Sequence, residues 1–279
     1  MEFANYHTHS YFCDGSGEPE SYVMRALESG FCAIGFSSHA PVGFENTFAL
    51  KKDKIMDYLK NIEYLKWKYK GIIEIYSGLE VDYFKDTELM TDIGNLNLDY
   101  IIGSVHFIKH EKSGKYLGID CSKEECSKII DDNYNGNGKM YVFEYYSLVR
   151  DMVKYLKPAI IGHLDLLKKN NKNNIYFNEN EKWYRDEVEK TLEVIAEAGS
   201  ILEVNTGGMS RKYINTTYPG PWILKIARDM NIPVALSSDA HSPEFINAYF
   251  NDAADMLKKT GYTEISILKN DVWTNTSLI

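Results

Sequence analysis

The chain has 279 residues, with 40 Asp plus Glu against 31 Lys plus Arg for a formal charge of −9, and 44% of it is hydrophobic. That balance excludes disordered and fibrous classes and argues against nucleic acid as a bulk partner. No apolar run reaches the ~18 residues of a membrane-crossing helix, the start lacks a basic stretch followed by an apolar one, and the four cysteines (Cys13, Cys32, Cys121, Cys126) show no CxxC spacing. A cytoplasmic protein without membrane association or a disulfide framework is therefore expected.

Taken in chain order, a β-rich run at 3–9 precedes a helical pattern at 18–29, entered near Pro19 and followed by Gly30. Strand 32–38 leads to helix 51–69, strand 72–81 to helix 85–93, and strand 99–106 to a long polar stretch, 107–138, before helix 139–156. Pro158 introduces strand 158–164, which leads to helix 179–198 and Gly199. Strand 200–205 runs into an irregular segment, 206–219, and helix 220–230; Pro233 introduces strand 232–238, with helix 243–259 after it. Seven strands alternating with helices and no intervening linker predict a parallel sheet closed into one α/β barrel over residues 1–279. The two irregular stretches follow strands, where barrels carry function, and 107–138 is long enough to cover the mouth as a lid.

Six of the seven histidines stand at or just beyond the C-terminal end of a predicted strand. His7-Thr8-His9 ends the first, and side chains two apart on a strand share a face, so both imidazoles can address one metal. His39 follows Phe36-Ser37-Ser38, Glu80 sits in Gly78-Leu79-Glu80, His106 in Gly103-Ser104-Val105-His106, and His163 in Gly162-His163; Asp239-Ala240-His241 closes the last strand. Asp14, in Asp14-Gly15 after the first strand, can reach the same mouth. Each residue alone is more often a hydrogen-bonded polar group on a barrel rim. Together, imidazoles and carboxylates converging on one mouth suit Zn²⁺, Mn²⁺ or Fe²⁺, with donors enough for three ions.

These motifs resemble the polymerase and histidinol phosphatase (PHP) family over nearly the whole chain, and in length and loops its stand-alone histidinol-phosphate phosphatases. The resemblance implies a distorted (β/α)7 TIM-like barrel with three divalent metal ions. His7, His9, Glu80 and Asp239 would hold the first; Glu80, His106 and His163 the second; Asp14, His39 and His241 the third. It implies a phosphomonoesterase of histidine biosynthesis whose small-molecule substrate is histidinol phosphate. A hydroxide shared by two metals would attack phosphorus, and Glu80, Asp239 and His241 would stand nearest the chemistry. No GxSxG or phosphatase CxxxxxR pattern offers a side-chain nucleophile.

Arg211, in the loop after strand 200–205, is expected to grip phosphate, since a guanidinium can bind two oxygens at once. Glu203 and Asn205 on that strand, and Asp82 beyond Glu80, are candidates for the substrate's cationic groups or for orienting the metal-bound histidines. Another phosphate ester as substrate (nucleotide, phosphotyrosine or general), or a non-catalytic metal-binding module, are the alternatives, and the oligomeric state stays open.

Overall fold

The computed structural model describes residues 2–278. Along the chain run β1 (Phe3–Asn5), α1 (Pro19–Glu28), β2 (Phe31–Phe36), α2 (Ile55–Lys68), β3 (Glu74–Asp82) and β4 (Tyr100–Ser104). A hairpin of β5 (Phe107–Lys109) and β6 (Tyr116–Gly118) follows, then α3 (Lys123–Tyr134), α4 (Gly138–Leu156), β7 (Ile160–Ile161) and α5 (Lys182–Ala198). The remainder is β8 (Ile201–Asn205), α6 (Gly207–Ser210), α7 (Pro221–Asp229), β9 (Val234–Ser237), α8 (Phe250–Thr260), β10 (Glu264–Lys269) and β11 (Val272–Ser277).

Seven strands pair in parallel in the order β1-β2-β3-β4-β7-β8-β9, so each strand–helix unit lies beside the next. The ring closes beyond the ends of β1 and β9. There Thr8 bridges Ala240, with His9 N–H donating to the Ala240 carbonyl at 2.9 Å and Ala240 N–H to the His7 carbonyl at 3.3 Å. This is a nearly closed, distorted (β/α)7 TIM-like barrel. The strands are buried on both faces, as parallel strands covered by helices must be. The main core lies between the sheet and its helices and gathers apolar stripes such as Tyr58, Leu59, Ile62 and Leu65 of α2.

A second core cluster is built around Tyr6, Tyr76, Tyr100, Ile102 and Ile160. The β10–β11 hairpin caps it. Tyr6 Oη donates to the Leu268 carbonyl at 3.0 Å and accepts from Leu268 N–H at 2.7 Å, and Trp273 packs edge-on to Tyr6. The sequence reading stopped at residue 259 and missed this hairpin. Its signal was present: Glu264 to Leu268 is β-rich, and Asn270-Asp271, both at positive φ, make the two-residue turn such hairpins favour.

Two other expectations are corrected. The helix at 85–93 is only a single 3-10 turn, Thr87–Leu89. Its backbone is taken up instead by the loop after β2: Gly43 N–H donates to the Leu89 carbonyl at 2.7 Å, and Met90 bridges Val42. The stretch 107–138 is largely regular, holding β5, β6 and α3, and α3 starts with a capping box in which Ser122 and Glu125 bond each other's backbone N–H.

Gly78 is required where β3 passes Tyr100, since a Cβ there would lie 2.5 Å from the ring's Cζ. Tyr100 cannot withdraw, because its hydroxyl donates to the Tyr6 carbonyl at 2.5 Å. Gly78→Ala should therefore lower unfolding stability by about 1–3 kcal/mol, the usual cost of overpacking a rigid core. Urea denaturation monitored by tyrosine and tryptophan fluorescence checks this, and an unchanged midpoint would contradict it.

Candidate metal centre

Residues 7–9 carry the β1 direction past the sheet and place His7 and His9 on the inside of the closure, with ring centroids 5.1 Å apart and both side chains wholly buried. Thr8 turns outward and donates to the Gly35 carbonyl at 2.9 Å. Glu80 and Asp82 lie on β3; His39 follows β2 and bridges Glu80; His106, His163 and the Asp239–His241 pair follow β4, β7 and β9. Asp14 reaches in from the loop after His9. The structure brings His7, His9, Asp14, His39, Glu80, His106, His163, Asp239 and His241 together there.

Glu80 is the hub. Its Oε2 lies 3.2 Å from His7 Nε2, 3.4 Å from His9 Nε2 and 3.1 Å from His39 Nδ1, and its Oε1 lies 2.9 Å from His163 Nε2 and 3.6 Å from His106 Nε2. Asp239 Oδ1 stands 3.4 Å from His9 Nε2 and 3.8 Å from His7 Nε2. At the outer edge, Asp14 Oδ2 is 3.3 Å from His241 Nε2 and 3.7 Å from His39 Nε2, while Asp14 Oδ1 is 3.7 Å from His9 Nδ1. His9 thus stands between the outer group and the group around Asp239.

Among the described residues, the Nε2 atoms of His7 and His9, Nδ1 of His39 and Oε2 of Glu80 are buried without a hydrogen-bond partner. Burying polar atoms unpaired is costly, and four that face one another form a cradle for cations. His106 Nε2 and His163 Nε2 face each other at 3.1 Å beside a carboxylate oxygen. Groups of donors within ligand reach of one another are His9, Asp14, His39 and His241; His7, His9 and Asp239; His7, Glu80 and His163; and His39, Asp82 and His106. Imidazole and carboxylate donors of this kind fit divalent transition metals.

A layer of carboxylates fixes the imidazoles from behind. Glu203, wholly buried, takes His7 Nδ1 at 2.5 Å and the His163 backbone N–H at 2.7 Å, and Asn205 donates to it at 3.1 Å. Asp82 accepts from His106 Nδ1 at 2.8 Å and from the His106 backbone N–H at 3.1 Å. Each bond assigns the Nδ1 proton and turns Nε2 toward the centre. Glu203 and Asn205 therefore do not line the cavity, which corrects their expected place against substrate, and Asp82 orients His106.

Charge is layered accordingly. Burial opposes protonation of His7, but Glu203, Glu80 and Asp239 outweigh it and raise its pKa well above the usual value. His9 goes the other way: burial and the adjacent His241 and His39 lower it to about 3, leaving a neutral imidazole ready as a ligand. Despite burial, Arg211 and His7 hold Asp239 well below the usual carboxylate range. Asp239 also sits at φ 50°, a left-handed conformation that costs a non-glycine residue about 1–2 kcal/mol.

Arg211 holds Asp239 in that conformation, donating to its carbonyl at 2.8 Å and to its Oδ2 at 2.7 Å. The approach depends on Gly207, where a Cβ would come within 2.7 Å of the guanidinium. Above the donors opens a cavity of about 420 Å³, lined also by Arg211, Lys169, Asp120, Phe48, Phe107, Tyr213 and Tyr218. The reading of the sequence did not find Lys169, Asp120 or the two tyrosines. It also missed the buried Asp165–Lys168 ion pair at 2.7 Å, whose lysine donates to the Thr217 carbonyl and lies 5.1 Å over the Tyr218 ring.

A parallel barrel with this donor set at its mouth defines a protein with a divalent-metal site. The PHP domain model matches residues 5–207, and the chain belongs to the PHP domain family. The histidinol-phosphatase of Bacillus subtilis (strain 168) is 31% identical over 256 residues, covering 86% of this chain and 94% of that protein. A Deinococcus radiodurans protein named probable histidinol-phosphatase is 28% identical over 263 residues, covering 91% and 92%. In fold, the chain resembles the crystal structure of histidinol phosphate phosphatase from Lactococcus lactis complexed with zinc, L-histidinol and phosphate, with a TM-score of 0.73, 22% identity and coverage of 98% and 99%.

Glu203→Gln keeps the shape but weakens the His7 contact. It should lower affinity for divalent metal ~10- to 100-fold while leaving the folded state intact. Competition with a metallochromic chelator measures the first and circular dichroism the second; wild-type affinity would remove this role from Glu203.

Proposed function

We propose that the chain is a metal-dependent phosphomonoesterase that hydrolyses L-histidinol phosphate to L-histidinol and phosphate. The observation that carries the reading is the Glu80-centred set of unpaired, mutually facing donors beside Arg211, in a chain aligned nearly end to end with histidinol-phosphatases. Three ions, zinc, manganese or iron, are the proposed occupants. His7, His9, Glu80 and Asp239 would hold one, Glu80, His106 and His163 a second, and Asp14, His39 and His241 a third.

Divalent ions so held would supply a water nucleophile at neutral pH and offset charge on the phosphoryl oxygens. The rest falls to the chain. Arg211, oriented by its two bonds to Asp239, presents its guanidinium to phosphate at the cavity wall. Glu80, Asp239 and His241 would stand nearest the chemistry, while Glu203 and Asp82 keep their imidazoles aligned. Phe48, Phe107 and Tyr218 narrow the cavity and exclude bulk water, which strengthens every charge interaction inside. With this substrate we propose a place in histidine biosynthesis and a cytoplasmic location.

The test is inorganic phosphate release from L-histidinol phosphate by metal-reconstituted protein. Turnover with kcat/KM near or above ~10⁴ M⁻¹ s⁻¹, lost on chelation, is expected; no chelator-sensitive release would overturn the reading. Arg211→Ala should reduce kcat/KM ~10²-fold with metal content unchanged, as expected for loss of one charged transition-state contact. Metal analysis beside the kinetics separates that effect from loss of the Asp239 ligand.

A further inference from the structure

Four carboxylates line the metal cavity: Asp14, Glu80, Asp239 and Asp120. The first three face imidazole nitrogens of the centre. Asp120 does not. Its carboxylate is 47% exposed and accepts no hydrogen bond among the described residues, and its nearest cation, Lys169 Nζ, stands 3.9 Å away. The Lys169 ammonium is otherwise engaged, donating to the Asp120 carbonyl and lying 4.3 Å over the Tyr213 ring.

The backbone fixes where this carboxylate stands. The β5–β6 hairpin leaves the mouth at His106 and returns to it: Phe107 pairs with Gly118, and Ile119 N–H donates to the His106 carbonyl at 2.8 Å. Asp120 is the next residue. Lys169 holds its carbonyl, and Asn170 donates to the Cys121 carbonyl at 3.0 Å, so the turn after β7 grips the segment from the other side. Asp120 is thereby anchored on the wall of the cavity that Arg211 also lines, together with the rings of Phe48, Phe107 and Tyr213.

We propose that Asp120 is the specificity-determining residue of this site, its carboxylate accepting the cationic group of the leaving alcohol while the phosphate lies against Arg211 and the metal donors. This rests on the phosphomonoesterase reading. The substrate class is a phosphomonoester bearing an ammonium or imidazolium on its alcohol. Apart from Asp120, the charged side chains such a cation would meet on the cavity wall are Lys169, Arg211 and acids committed to the centre. The aromatic wall gives a flat apolar surface for the remainder of the alcohol.

The experiment compares kcat and KM for L-histidinol phosphate and for phenyl phosphate in the metal-reconstituted wild type, Asp120→Asn, Asp120→Glu and Asp120→Lys. In the wild type the cationic ester is preferred. Asp120→Asn lowers that preference about tenfold, chiefly through KM, as for loss of one partly desolvated charge contact. Asp120→Glu restores part of it, and Asp120→Lys lowers it further. Added salt raises KM for the cationic ester more than for phenyl phosphate. A preference within about twofold of wild type in both the Asn and Lys variants overturns the role of Asp120 and leaves the phosphatase reading standing. A wild type that hydrolyses both esters without preference removes cation selection while keeping the phosphatase. Failure to hydrolyse either ester sinks both.

Discussion

The closure of the barrel between β1 and β9 is the constraint on which the rest depends. Two backbone hydrogen bonds, from His9 to Ala240 and from Ala240 to His7, complete the ring at its mouth. The residues that make them alternate with, or are, the residues of the centre: Thr8 between His7 and His9, Ala240 between Asp239 and His241. Alternation about Thr8 turns His7 and His9 inward as the backbone pairs, while across the seam Asp239, in its left-handed conformation, and His241 bring their side chains to the same centre. Closing the sheet and assembling the donors are thus one event, and a cation that gathers those side chains also holds the seam shut.

Around that seam the electrostatics form shells of alternating sign. Imidazoles surround the Glu80 carboxylate, the carboxylates of Glu203 and Asp82 lie behind the imidazoles, and Arg211 lies against Asp239. An anionic hub ringed by bases would be costly in a low-dielectric interior unless each charge met its opposite. The outer carboxylates meet that need and also select the ring nitrogen presented inward. Glu203 acts at two points, on the His7 ring and on the His163 backbone, so it joins the first and fifth strands of the ring through one side chain.

Much of this was legible in the sequence because each feature has a local cause. Seven apolar runs alternating with helical patterns give the barrel, and histidines and acids at run ends give its mouth. What escaped was long-range. The segment 85–93 has helical spacing, but its backbone is claimed by the loop at 41–43, a contact that no window of sequence reveals. Glu203 and Asn205 share the strand-end address of true cavity residues, and only the long-range bonds of Glu203 to His7 and His163 show that they lie behind the rings. Asp120 lies in a polar stretch like many others until the β5–β6 pairing returns it to His106. The hairpin at 264–277 was the exception, since its turn and β-rich flanks were local signals left unread.

That hairpin bears on how the molecule is made. Tyr6, just beyond the first strand, has both hydroxyl bonds satisfied by Leu268, more than 260 residues later in synthesis. Until 264–277 leaves the ribosome, the tyrosine layer around Tyr6 stays open to water even if all seven strands have emerged. The nascent barrel therefore keeps this apolar layer exposed until the hairpin has emerged and docked against Tyr6.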